Sequence, residues 1–179
     1  MTPQTVIDFW MKAGPKKWFQ RDEDFDAEVS VLFGGWVAAA AQGKLDFWKT
    51  EPSGVLAYVI LLDQFSRNMY REDARAYASD ALAVQASRRA IARGDDLKLD
   101  EPLRRWLYMP FMHSEDLAVQ EEGLLYFSER LDDANTYKFA VDHADIIRQF
   151  GRFPHRNEVL LRASSDEEIT FLEEGGFSA

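Results

Sequence analysis

Nowhere in the 179 residues does apolar–polar alternation at period two persist with β-branched enrichment. That removes sheets and barrels from what the chain is expected to build. What recurs instead is helix punctuation. Thr2-Pro3 reads as an N-cap and first-turn proline leading into Val6, Ile7 and Trp10. The acidic run Asp22 to Asp26 opens a long segment through Val29, Phe33 and Trp36 to Gln42. Gly34-Gly35 in its middle either kinks that helix or admits another one closely. Ser53 starts a third helix that reaches about Arg71, and Ser79 caps a fourth that ends in Arg93-Gly94. Asp100-Glu101-Pro102 opens a fifth. Ser114-Glu115-Asp116 opens a sixth, with Ser114 as cap and the two acids in the first turn. Tyr137 to Phe150 forms a seventh, and Ser165 with Glu168 makes a capping box for a short last helix.

The expected fold is therefore all-α, with about eight or nine helices. Antiparallel pairs on short turns stack in a right-handed, α-solenoid-like arrangement. No tetratricopeptide repeat of about 34 residues is present in the sequence itself. No low-complexity stretch or linker marks a boundary, so a single domain over residues 1–179 is expected.

Composition narrows the function classes. There is no cysteine, which rules out disulfides, thiolate metal sites and thiol nucleophiles. The net charge of −10 opposes nucleic-acid binding unless the basic residues gather on one face. They gather only between Asp145 and Arg162, where four arginines outnumber two carboxylates. That suits a small anion, not a phosphate backbone. No basic start followed by an apolar run marks a leader, and apolar runs such as Val55 to Leu62 are too short to span a bilayer. A cytoplasmic protein with no membrane association is expected.

Chemistry is concentrated in a few stretches. The third helix is apolar all round from Val55 to Leu62 and then runs into Asp63-Gln64-Phe65-Ser66-Arg67-Asn68. Asp63 and Arg67 stand four apart and can pair on the buried face, either as a structural ion pair or as part of a site. His113 precedes the sixth helix among Met and Phe side chains. His143 stands on the apolar stripe Ala140, Ile147, Phe150, where a hydrogen-bonded core histidine is the plainer reading. The densest stretch is Arg148 to Asn157, in which Gly151 ends a helix and Pro154 prevents its continuation. Phe150 and Phe153 anchor this turn, while Arg152, His155, Arg156 and Asn157 project from it. Arginine forks suit a carboxylate or phosphate, and an imidazole beside them can exchange protons. The same arginines can equally cap helix carbonyls or pair with acids. The histidines show no regular metal-binding spacing, so no metal site and no evident cofactor are expected.

Leu62-Asp-Gln-Phe-Ser-Arg-Asn68, Pro110-Phe-Met-His-Ser-Glu-Asp116 and Phe150-Gly-Arg-Phe-Pro-His-Arg-Asn157 resemble the signature segments of an uncharacterised bacterial family, domain of unknown function 924. Val6-Ile-Asp-Phe-Trp10, Lys17-Trp-Phe19 and Arg162-Ala-Ser-Ser165 with Glu168, Phe171 and Leu172 extend the likeness over the chain. The resemblance implies a tetratricopeptide-like helical fold and no particular activity. One departure stands out. The family pattern leads one to expect glycine before Arg162, where this chain has Leu161.

Two functions remain open, beside a third reading in which the motifs only lock helices together and the function lies elsewhere. In the first, Arg152, Arg156 and Arg67 hold a small anion together with Asn157 and Gln64. His155 or His113 then acts as acid or base, and Asp63 and Glu115 orient the groups. In the second, the helical stack is an interaction module for a peptide or partner protein and catalyses nothing.

Overall fold

In the computed structural model, residues 1–176 are described, and among them every regular element is helical and no strand occurs. The helices are α1 (Pro3–Phe19), α2 (Glu23–Ala41), α3 (Pro52–Val59), α4 (Ser66–Met69), α5 (Asp80–Ala92), α6 (Glu101–Met112), α7 (Leu117–Arg130), α8 (Ala134–Phe150) and α9 (Asp166–Glu173). Short 3₁₀ turns join several of them, and a π-helical segment, Ile60–Phe65, links α3 to α4. No helix of the described residues is long and apolar enough to cross a membrane. Contacts divide the chain into two compact units: unit 1 is Met1–Arg71 with Arg75–Pro110, and unit 2 is Glu72–Ala74 with the chain from Phe111 onward.

Unit 1 is built around α3. Every residue from Gly54 to Phe65 is buried, as expected for a helix that is apolar all round. α1, α5 and the 3₁₀ turn Asp46–Thr50 pack against α3, and α2 packs against the π segment and α4. The approach at Gly54 is so close that a Cβ there would lie 2.0 Å from the Trp48 carbonyl oxygen. Aromatic rings fill the space between helices: Phe9, Trp10, Phe33 and Phe65 interlock, and Trp106 meets Trp10 edge-on at 5.0 Å. α1 breaks at Gly14, whose φ of 74° and ψ of 174° are non-helical. Beyond the break the Trp18 indole folds back to donate to the Trp10 carbonyl at 2.7 Å. α2 runs unbroken through Gly34-Gly35, so the pair does not kink it. Gly34 instead admits Met69 of α4, whose Cε would lie 3.3 Å from a Cβ there.

Unit 2 begins with the last turn of α6, followed by α7 and α8, which pack on each other across a link of only Leu131 to Asp133. Gly123 of α7 accommodates Phe111, whose Cβ would stand 2.5 Å from an added methyl. Gln120 of α7 donates to the carbonyls of Met112 and Ser114 at 2.6 and 2.8 Å, fixing the turn that carries His113. Ile146, Ile147 and Phe153 form a small core, with Leu117, Phe150 and Phe171 packed against it.

Several helix ends differ from expectation. Ser114 does not cap α7. Asp116 does, accepting the Ala118 N–H at 2.9 Å, while the Ser114 hydroxyl receives the Asp116 N–H. A carboxylate is the stronger acceptor at a helix N-terminus, and its use shortens the helix by two residues. Glu115 is thereby left outside the helix. Ser79 stands at the N-cap of α5 but makes no side-chain cap bond. α8 starts earlier than Tyr137, at Ala134 behind Asp133.

Candidate functional site

The polar residues singled out by sequence fall into two constellations, one within each unit. In unit 1 the helical stripe predicts the pairing of Asp63 with Arg67, and the two stand 3.2 Å apart. Arg67 also donates to the Asp63 carbonyl at 2.8 Å and makes a two-pronged contact with Asp80 at 3.0 and 2.9 Å. Burial pushes the Arg67 pKa down, but Asp63 and Asp80 outweigh it and leave the guanidinium charged. Gln64 donates to the other Asp63 oxygen. All of this rests on the π segment. Its wider turn adds a residue without breaking the helix and re-aims the side chains that follow. Nearby, Asp26 receives Asn68 and Arg71 from the end of the same helical run.

In unit 2 the turn after α8 is the scaffold. Gly151 takes the left-handed cap conformation at φ 68°, its N–H returning to the Ile147 carbonyl at 2.8 Å. Phe153 follows with no exposed surface, and Pro154–Arg156 form one 3₁₀ turn. Two salt bridges clamp this turn. Glu115 accepts both terminal nitrogens of Arg162, and also the Phe153 N–H at 2.8 Å. Arg162 returns a bond to the Phe153 carbonyl at 3.1 Å and one to Asn157 at 3.0 Å. Buried Asn157 passes the chain of bonds on to Ser164. On the other side, Arg152 forks onto Glu168 at 2.6 and 2.7 Å and reaches the Ala163 carbonyl.

These pairs set the local electrostatics. Burial pushes the Glu115 carboxyl up, yet Arg162 and the Phe153 N–H outweigh it, so its pKa lies below the ordinary value. Arg152 holds the Glu168 carboxyl down to about 2 against the opposing effect of burial. Both acids are firmly ionised at neutral pH.

Inside the clamps lies a cluster of imidazoles. His143 and His155 flank the Phe153 ring at centroid distances of 5.7 and 5.5 Å, and His113 stands 6.4 Å from His143. Arg156, only 5% exposed, lies over the same ring at 4.5 Å and donates to the His113 carbonyl at 3.0 Å. His143 is the buried member. Burial drives its pKa down to about 3, helped by the charges of His113, Arg156 and His155. It is therefore neutral, and its Nδ1 must carry the proton, because the partner 2.6 Å away is the Phe139 carbonyl oxygen. His113 and His155 are half-buried.

Of the residues expected to act together, His113, Glu115, Arg152, His155, Arg156 and Asn157 meet in unit 2. Asp63, Gln64 and Arg67 belong to the unit 1 network. Sequence reasoning overlooked Arg162, the hub of the Glu115 clamp. The signal was present in its place within a matching segment and in the unusual residue before it. Asp80, the residue after the expected cap Ser79, was missed as well.

Comparison with known proteins identifies the family and supports the fold. A family model described as bacterial protein of unknown function (DUF924) matches residues 6–176. No curated protein matches the chain. Among solved structures, the chain is similar to the protein of unknown function ATU0120 from Agrobacterium tumefaciens, at 42% identity and a TM-score of 0.91, with 97% of each chain covered.

Proposed function

We propose that this chain, which belongs to the DUF924 family of bacterial proteins of unknown function, binds a small anionic ligand on the imidazole–guanidinium cluster of unit 2. The observation that carries the reading is that His143 and His155 flank one phenylalanine ring over which Arg156 lies, while His113 stands beside His143 and offers its carbonyl to Arg156. Arg156 acts from a buried position, where a charge is felt more strongly than in water. His113 and His155 reach solvent and supply N–H donors to an incoming oxyanion. His143 stands behind them as a neutral, fixed partner.

In this reading the salt bridges are struts. Arg152 and Arg162 each spend their fork on a carboxylate, so of the arginines expected to hold the anion Arg156 keeps that role and Arg152 does not. Asn157 holds Arg162 and Ser164, and Glu115 pins the Phe153 backbone. The site is thus pre-organised, and little ordering accompanies binding. Asp63, Gln64 and Arg67 tie the π segment of unit 1 and do not touch the ligand. If the ligand is a substrate, His113 or His155 serves as its general acid, in a protein working in the cytoplasm.

Calorimetric titration with inorganic phosphate, sulfate and short dicarboxylates tests the reading. At least one is expected to bind, with affinity reduced tenfold or more in Arg156→Met and weakened in His155→Asn. Failure of all these anions to bind, or equal affinity in Arg156→Met, overturns it.

A further inference from the structure

The geometry points to a second copy of this chain as the partner of the outer face of α2, the two helices crossing antiparallel about a twofold axis near Gly34-Gly35. From Val29 to Ala41 the helix carries no charged residue and one hydroxyl, Ser30. Only Val29, Phe33, Val37 and Ala40 of this stretch are buried. Val31 is 84% exposed and Leu32 46%, and Gly35, Ala38 and Ala41 are exposed as well. A helix apolar on all sides is ordinarily covered on all sides. Beyond the helix, Phe47 is 66% exposed as well.

Gly35 strengthens the case. A Cβ placed there meets nothing within 4 Å, so no contact inside the chain requires a glycine. Yet glycine in a helix interior costs about 1 kcal/mol relative to alanine. Close approach of a second backbone accounts for it.

Charge complementarity selects the occupant. Asp24 and Glu28 are exposed at one end of this face, and Lys44 is exposed just past the other. About a twofold axis between Gly34 and Gly35, the acidic end of one copy meets Lys44 of the other, and Val31 meets Ala38. The face is therefore complementary to itself in the antiparallel sense, with a side chain opposite a small residue. Elsewhere two copies of a chain with a net charge of −10 repel each other. This is the isologous contact that closed dimers use.

Sedimentation equilibrium of the full chain over a wide concentration range is expected to show a monomer–dimer equilibrium. Gly35→Lys should weaken it at least tenfold, and because the position is open and helical the variant should keep its fold, checked by circular dichroism. Asp24→Lys and Lys44→Glu should each weaken the dimer, and together they should restore it. The chain has no cysteine, so Gly35→Cys should form a disulfide-linked dimer in air, whereas Leu97→Cys, another exposed position, should not. A strictly monomeric wild type overturns the inference, whatever other partner the face then takes. So does a dimer indifferent to Gly35→Lys, or one that the charge reversals leave unchanged.

Discussion

Glu115 and Arg162, 47 positions apart, meet through two parallel hydrogen bonds of 2.7 and 2.9 Å, and the Glu115 oxygen in the longer bond also takes the Phe153 N–H. Both side chains are about three-quarters buried. Removing one leaves a poorly solvated charge behind, so Glu115→Gln and Arg162→Met should each cost about 2–3 kcal/mol. The double variant should cost clearly less than their sum. Urea denaturation measures all three, and additive losses would show that the pair is not coupled.

Leu161 has a φ of 54° and is 94% exposed. The Arg162 N–H bonds to the Asn157 carbonyl and the Leu161 N–H to that of Glu158, which is the Schellman pattern with leucine at the left-handed position. Gly94 fills the equivalent position after α5. The expected glycine is thus replaced while its backbone geometry is kept. Leu161→Gly should stabilise the protein by about 1 kcal/mol, since left-handed strain is relieved and no buried surface is lost. The melting temperature should rise by roughly 2–4 °C. A fall would show that the leucine makes a favourable contact.

Two helical glycines should respond to alanine in opposite directions. At Gly123 the new methyl meets Phe111 at 2.5 Å, so overpacking should cost about 1–3 kcal/mol despite the better helix propensity. At Gly35 the methyl meets nothing, and a gain of about 0.5–1 kcal/mol is expected. Thermal unfolding at low protein concentration compares the two.

His143 gives the stability a defined pH dependence. Its folded pKa of about 3 lies below the ordinary 6.5. Below 6.5 the unfolded chain therefore takes up a proton that the folded one refuses, and stability falls as the pH drops toward 3. Glu168, held at about 2 against an ordinary 4.5, adds its loss only below 4.5. Between pH 6.5 and 5 the carboxylate is silent, so His143→Phe should flatten the stability profile there. An unchanged slope in that variant would assign the effect to other groups.

Much of the fold was legible because its signals are local. Thr2 caps α1 ahead of Pro3, Ser165 makes the expected capping box with Glu168, and Gly151 ends α8 as its position suggests. The all-round apolar run from Val55 identified the buried helix. What could not be read depends on distant partners. Glu115 looks like a first-turn acid, but Asp116 takes the cap and Glu115 pairs instead with Arg162, far along the chain. The π turn at Ile60–Phe65 has no sequence marker, although it carries Asp63 and Gln64, which bond to each other and, through Asp63, to Arg67. The arginine-rich turn was recognisable as a cluster. Which arginine is clamped and which lies over a ring was decided by the placing of Glu115 and Glu168.

The most direct test of the anion site is to follow the three imidazoles by long-range ¹⁵N–¹H NMR while inorganic phosphate is added at neutral pH. Shifts in His113 and His155 that saturate together and vanish in Arg156→Met, with His143 remaining the neutral Nδ1–H tautomer, are the predicted result. Imidazole signals that ignore phosphate, or that respond equally without Arg156, would contradict the account.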